Sequence, residues 1–316
     1  MTAGPPDGRV RTVFLGSGGF GRPALHRLAA HPSVKLVGIV TAPPRPAGRQ
    51  RRLTPTVIEE AGTILGISPI LYPERLRAPE AVADVLRLEP ELLVLADYGQ
   101  IVPAALLALP HGALNLHPSL LPRHRGAVPI PAAILEGDAE TGVTLMRMDA
   151  SLDTGPIVAQ ERLGLGGTEV APDLEARLAE VAAGLLDRSL APWLAGALPA
   201  VPQPPEGATL TRPMRREDGR LDPLRPAADL ERRVRALQPW PGAFIELDGE
   251  RVVVGVASAA PTEMGDVPGA LVVEGRDPAI ATSDGRLVLV TVTPAGRRAM
   301  PGSDWLRGRR VRESRG

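Results

Sequence analysis

The sequence predicts an α/β protein with a smaller β domain behind it, and three observations carry that prediction. Through the first two-thirds, short apolar runs alternate with segments of helical periodicity, as in a strand–helix–strand fold. Several runs are apolar on both faces, as strands covered by helices on each side are. After "GALPAVPQPPEGATLTRP", with its five prolines, short β-rich runs separated by glycine turns take over. The expected architecture is a Rossmann-like open sheet of parallel type with helices on both faces, then a C-terminal β-barrel of OB-like kind.

Taken in order, Val10–Leu15 is the first strand and a "GSGGFG" turn follows it. A helix over 23–30, a strand over 34–41, a helix over 55–65 and a strand over 69–72 come next. A helix over 79–88 leads to strands Leu92–Ala96 and Ala113–His117. Two further strands, 142–148 and 156–163, precede a long amphipathic helix over 172–198. The predicted division is a first domain at 1–198, a linker at 199–208 and a second domain at 209–316. The second domain carries a helix over 227–237 and strands over 243–247, 251–256, 270–273 and 286–293.

Composition narrows the chemistry. With no cysteine in 316 residues, disulfides, thiolate nucleophiles and Cys-based zinc sites are excluded. No apolar run approaches the roughly 18–20 residues of a membrane span. The opening "MTAGPPDGRVRTVFLG" leads straight into a strand, without the pattern of a signal peptide, so a cytoplasmic protein is expected. Basic and acidic residues balance at 36 each, and Lys35 is the only lysine. From Gly207 onward 18 arginines face 15 carboxylates, a net +3 that permits contact with nucleic acid. Aromatics, at 3%, are too few for extensive base stacking.

Two motifs bear on function. Gly16–Gly21 matches the dinucleotide fingerprint between a strand and a helix. The second strand, however, runs into "TAPPRPAGR", without the carboxylate that holds a ribose hydroxyl. Arg45 could serve a phosphorylated ribose, so an NADP-dependent oxidoreductase stays open. The second motif is "ALNLHPSLLPRHRGAVP". Asn115 and His117 are two apart on an extended segment and face the same side, near the carboxyl end of a strand, where such sheets bind ligands. An amide and an imidazole there suit an oxygen gaining negative charge in acyl transfer.

A carboxylate to pair with His117 and raise its pKa comes from "MRMDASLDTGPIVAQ", where Asp149 and Asp153 both qualify; Asp149 equally suits a turn-forming role. The spacing of His111, His117 and His124 fits no zinc pattern, so no metal is expected. Ser119 lacks the nucleophile-elbow setting.

The stretch from "NLHPSLLPRHRGAVP" to "MDASLDTGPIV" resembles the formyltransferase family, above all the members acting on methionyl-tRNA. The likeness extends through "RPAGRQRRLTP", "DYGQIVP", "DGRLDPLRPAADLERRVRALQPWPGAF" and "PAGRRAM", in order and over both domains. It implies Asn115, His117 and Asp153 as the catalytic trio, with Asp153 keeping His117 charged. It implies 10-formyltetrahydrofolate as formyl donor, met by Ser119, Leu120, Leu121 and Pro122. It also implies initiator methionyl-tRNA as acceptor, contacted by Arg45, Arg49, Arg51 and Arg52 and by the C-terminal domain, with the protein a monomer. The family's first loop usually reads "GTPxF" where this chain has "GSGGF"; Pro44, "LTRPM" and Pro223 depart similarly. A transferase using an amino-sugar nucleotide shares the domain arrangement, and a non-catalytic tRNA-binding module is the reading from a different class.

Overall fold

The computed structural model describes residues 8–47 and 52–313. Contacts divide the chain into two units: one formed by residues up to Pro129, Glu140–Gly164 and Glu175–Arg212, the other by Ile130–Ala139, Leu165–Leu174 and the chain from Pro213.

The first unit begins with β1 (Val10–Leu15), α1 (Gly21–Ala30) and β2 (Val34–Val40). A small hairpin, β3 (Arg45–Ala47) and β4 (Arg52–Thr54), interrupts the expected alternation before α2 (Val57–Ile64). Thr56 caps α2 by accepting from the Glu59 amide at 3.0 Å. Then come β5 (Ile70–Leu71), α3 (Pro79–Leu86), β6 (Leu92–Ala96), the single turn α4 (Ala104–Leu107), β7 (Ala113–His117) and the two-residue β8 (Arg125–Gly126). After α5 (Pro129–Leu135) the chain forms β9 (Glu140–Arg147) and β10 (Ile157–Gly164), enters α6 (Ala171–Leu194), and reaches β11 (Leu210–Thr211).

Seven strands form one sheet in the order β10-β9-β7-β6-β1-β2-β5. The five from β7 to β5 are parallel, whereas β9 pairs antiparallel with β7 and with β10. The sheet is therefore mixed rather than wholly of parallel type. Between β9 and β10 chain length dictates the antiparallel pairing: the loop joining them has no room for the crossover that parallel pairing requires. Strand order reverses between β1 and β6, so the carboxyl ends there open a crevice. Beneath it Val13, Leu15, Val40, Leu93, Leu95 and Ala113 form a buried apolar layer against Val85 and Leu106.

The second unit contains α7 (Ala227–Ala236), β12 (Phe244–Leu247), β13 (Glu250–Ala260), β14 (Leu271–Glu274), β15 (Asp277–Ala281), β16 (Arg286–Pro294), β17 (Met300–Pro301) and α8 (Gly302–Glu313). Its antiparallel sheet runs β12-β13-β16-β15-β14, with β17 on β16. Register shifts around Val256 bend the long β13, and the sheet curls into a half-barrel whose edge strands stay apart. Val234, Ile245, Val254, Leu289 and Trp305 fill it. Sequence periodicity missed β15 and α8. The first is a short run containing Pro278, and the second is arginine-rich with little apolar face beyond Trp305 and Leu306.

Candidate active site

β7 delivers Asn115 and His117 to the carboxyl end of the sheet, flanked by Leu95 of β6 and by Met146 and Thr144 of β9. Asn115 is half-buried and its amide bonds to no described residue, so its donors stay available. His117 is 4% exposed. Its Nε2 lies 2.9 Å from the His124 carbonyl oxygen, which can only accept, so Nε2 carries the proton. The other nitrogen, Nδ1, faces Asp153 Oδ2 at 3.7 Å.

Asp153 is buried in the turn between β9 and β10 with φ 52°, a left-handed conformation that a non-glycine residue holds only when its surroundings impose it. Gly155 makes that turn feasible: a Cβ there would meet the Arg147 carbonyl oxygen at 1.9 Å. The Gly126 amide donates to Asp153 Oδ2 at 2.8 Å, fixing the carboxylate toward the histidine. Asp149 does something else. Its exposed carboxylate accepts from the Ser151 amide at 3.0 Å and from the Thr154 hydroxyl at 2.9 Å, shaping the turn.

The electrostatics differ from the expectation that Asp153 keeps His117 charged. Loss of hydration is the largest influence and lowers the His117 pKa; Asp153, and the bond to the His124 carbonyl, push upward without prevailing. Burial thus favours the uncharged imidazole, whose Nδ1 faces the Asp153 carboxylate. Such an arrangement takes up a proton and then stabilises the resulting cation.

The segment Ser119–Pro122 follows directly and is held by side-chain hydrogen bonds. Ser119 is fully buried, its hydroxyl donating to the Arg123 carbonyl at 2.6 Å. Thr144 Oγ1 donates to the Ser119 carbonyl at 2.7 Å and accepts from the Leu121 amide at 3.0 Å. Gln160 donates to the Leu121 carbonyl at 2.9 Å. Leu120 lies over Gly142, where a Cβ would sit 2.6 Å from its Cδ2. The serine hydroxyl is thus turned inward, while Leu120 and Pro122 stay partly exposed.

Arg45 and Arg52 are exposed on the β3–β4 hairpin; Arg45 pairs with Thr54 and Arg52 with Ala47, which places both arginines on one face. Arg49 and Arg51 lie outside the described residues.

The glycine turn is filled rather than open to phosphate. Ser17 N–H donates to the Asp97 carbonyl at 3.0 Å, and a Cβ on Gly18 would lie 1.7 Å from Asp97 Oδ2. Glu175 accepts from the Phe20 amide, the place at the start of α1 where a dinucleotide phosphate would sit. Burial raises the pKa of both carboxyl groups, and that of Glu175 rises further because Asp97 is close. Two carboxyl groups set against that turn, from Asp97 after β6 and Glu175 on α6, oppose the NADP reading.

Sequence reasoning missed Thr144 and Gln160, which brace the loop after His117, and Gln203, which contacts the Asp153 turn. Asp97 was visible as the first residue of the "DYGQIVP" stretch that ends an apolar strand, but not as a partner of the glycine turn.

Family models describe both parts of the chain: residues 10–190 match "Formyl transferase" and 213–310 match "Formyl transferase, C-terminal domain". A methionyl-tRNA formyltransferase of Roseiflexus sp. (strain RS-1) is 43% identical over 304 residues, covering 96% of this chain and 93% of that protein. The methionyl-tRNA formyltransferase of Myxococcus xanthus is 40% identical over 306 residues, covering 96% of each. Among solved structures, an N-formyltransferase from Helicobacter canadensis, in complex with folinic acid and dTDP-3-aminofucose, superposes with a TM-score of 0.64 at 12% identity. It covers 89% of this chain and 98% of that one, a likeness of fold.

Proposed function

The chain belongs to the formyl transferase family, and from that premise we propose that it transfers the formyl group of 10-formyltetrahydrofolate to the amine of methionine on initiator tRNA. It is an enzyme, a one-carbon group transferase acting in translation initiation. Near-full-length identity above 40% to methionyl-tRNA formyltransferases carries the choice of acceptor. The amino-sugar alternative has only likeness of fold behind it.

The observation that carries the mechanism is the convergence of Asn115, His117 and Asp153 at the carboxyl end of the sheet. The acceptor amine attacks the formyl carbon, and the carbonyl oxygen gains negative charge. Asn115, with its donors unspent, hydrogen-bonds that oxygen more strongly as the charge develops. The attacking nitrogen must lose a proton, and the donor's N10 must gain one to leave. Neutral His117 receives the proton at Nδ1, directly or through a water bridging the 3.7 Å gap to Asp153, and Asp153 stabilises the imidazolium until the proton passes on. No group in this scheme requires a metal.

Ser119, Leu120, Leu121 and Pro122 are the donor-binding segment in this reading, meeting the folate through backbone and apolar surface. Arg45, Arg49, Arg51 and Arg52 with the second domain serve the tRNA backbone, positioning it without reading sequence. The first domain (1–198) does the chemistry, and the second (209–316) holds the substrate RNA. We place the enzyme in the cytoplasm as a monomer, since one chain supplies every group used here. The deciding experiment is a formyl-transfer assay with charged initiator tRNA and the folate donor, run beside an amino-sugar nucleotide. Formylation of the sugar alone would overturn the acceptor assignment.

A further inference from the structure

The proline-rich segment after α6 does more than join two units: it returns to the Asp153 turn. Val201 and Ile157 exchange backbone hydrogen bonds at 2.8 and 2.7 Å, which sets Gln203 beside the turn. Gln203 Nε2 donates to the carbonyl of Asp153 at 2.8 Å and to that of Gly155 at 2.7 Å. Its Oε1 accepts from Arg125 Nε at 3.0 Å and Nη2 at 2.7 Å. A guanidinium only donates, so Arg125 fixes which end of the amide is oxygen and leaves the NH2 facing the two carbonyls.

The same segment holds the other side of the site. Thr209 Oγ1 accepts from the His124 amide at 2.8 Å. Thr211 Oγ1 donates to the Arg125 carbonyl at 3.0 Å and accepts from the Val128 amide at 3.1 Å. β11 pairs in parallel with β8, and a Cβ on Gly126 would meet the Thr211 carbonyl oxygen at 2.3 Å. His124 and Gly126, which hold His117 and Asp153 respectively, are therefore clasped by residues 201–211.

Asp153 needs such a clasp, because its left-handed backbone is not one an aspartate adopts by preference. We propose that Gln203, oriented by Arg125, is a positioning residue for formyl transfer: it grips the Asp153 backbone so that the carboxylate stays on His117. This rests on the reading of Asn115, His117 and Asp153 as the reacting group. Gln203 itself touches no reacting atom.

The test uses the full chain and three variants. Gln203→Met keeps the volume and removes every hydrogen bond. Gln203→Glu keeps Arg125 as an ion pair but turns an acceptor toward two carbonyls. Arg125→Met leaves Gln203 in place without its orienting partner. Asp153 raises the His117 pKa, so loosening Asp153 lowers the His117 titration midpoint, read by NMR without substrate. In steady-state assays kcat falls about 10- to 100-fold, the cost of a misplaced reacting group, while KM for both substrates holds. The Gln203→Glu variant is no better than Gln203→Met, and combining Gln203→Met with Arg125→Met adds little to Gln203→Met alone.

Wild-type kcat and His117 titration in Gln203→Met would overturn the proposal. So would a kcat loss that tracks melting temperature with the His117 midpoint unmoved, since that marks a purely structural role. If the wild type transfers no formyl group at all, the functional reading fails, and the NMR arm still decides whether Gln203 positions Asp153.

Discussion

His117 Nδ1 and Asp153 Oδ2 stand 3.7 Å apart, and that same carboxylate oxygen accepts the Gly126 amide at 2.8 Å. The carboxylate is therefore pinned by backbone and faces the imidazole without a direct hydrogen bond. Activity requires His117 to accept a proton, so protonating it beforehand abolishes transfer. Because burial lowers its pKa, the acid limb of the pH–rate profile falls below the ordinary histidine value of about 6.5. Asp153→Asn removes the one charge that opposes this, so the limb moves to still lower pH while the plateau drops by about 10²–10⁴-fold. A limb that stays put or moves upward in Asp153→Asn would contradict the assigned pairing.

Asn115 carries the second prediction. Its side-chain amide is uncommitted among the described residues, so Asn115→Ala deletes no structural bond seen there, and melting temperature is unchanged. Removing one donor to a developing oxyanion lowers kcat by about 10²–10³-fold with little effect on donor affinity. Single-turnover formyl transfer, at saturating concentrations of both substrates, measures it.

How much of this was legible beforehand follows from the physics of each element. Asn115 and His117 were readable because extended chain puts residues two apart on one face, and the strand around them is unambiguously apolar. The Asp153 turn was readable as a tight link between two strands, and the same brevity makes them antiparallel. Gln203 was not readable. Its role depends on where two backbone carbonyls lie in space, and a glutamine among prolines looks like any linker residue. The burial of His117 was not readable for a related reason: a sequence shows the partner carboxylate but not how completely the imidazole loses water. The β3–β4 hairpin escaped notice because its arginines and prolines have no apolar period.

Gly155 gives a third prediction. Gly155→Ala would place a Cβ 1.9 Å from the Arg147 carbonyl oxygen, and neither partner is a flexible side-chain end. The turn must distort, taking Asp153 with it. The expected cost exceeds about 2 kcal/mol, as for other forced backbone rearrangements, and activity falls at temperatures where the protein is still folded. Chemical denaturation and residual transfer rate are read on the same preparation; a stable, fully active variant would refute the role given to this turn.

Arg45 and Arg52 share one face of an exposed hairpin, which suits contact with consecutive phosphates. Arg45→Ala and Arg52→Ala each raise KM for charged tRNA and leave kcat and folate KM alone. Each lost phosphate contact also reduces the slope of log affinity against log salt by about 0.7–0.9. An unchanged slope would mean that the hairpin is only a solvated charge run.

The last prediction concerns Gly18 and Asp97, which interlock. A Cβ at 18 falls 1.7 Å from Asp97 Oδ2, so the bulkier residue usual in the family's first loop cannot coexist with this aspartate in its present rotamer. The obstructing atom is the end of a side chain, so Gly18→Ala forces Asp97 to turn rather than unfolding the loop, at a cost of about 1 kcal/mol. Asp97→Ala removes the obstruction, and in that background Gly18→Ala costs nothing or gains slightly from the lower entropy of the unfolded chain. A double-mutant cycle in denaturant therefore shows a coupling energy of about 1 kcal/mol between the two positions. If the two substitutions are additive, the glycine is there for backbone conformation alone, and its departure from the family pattern has no link to Asp97.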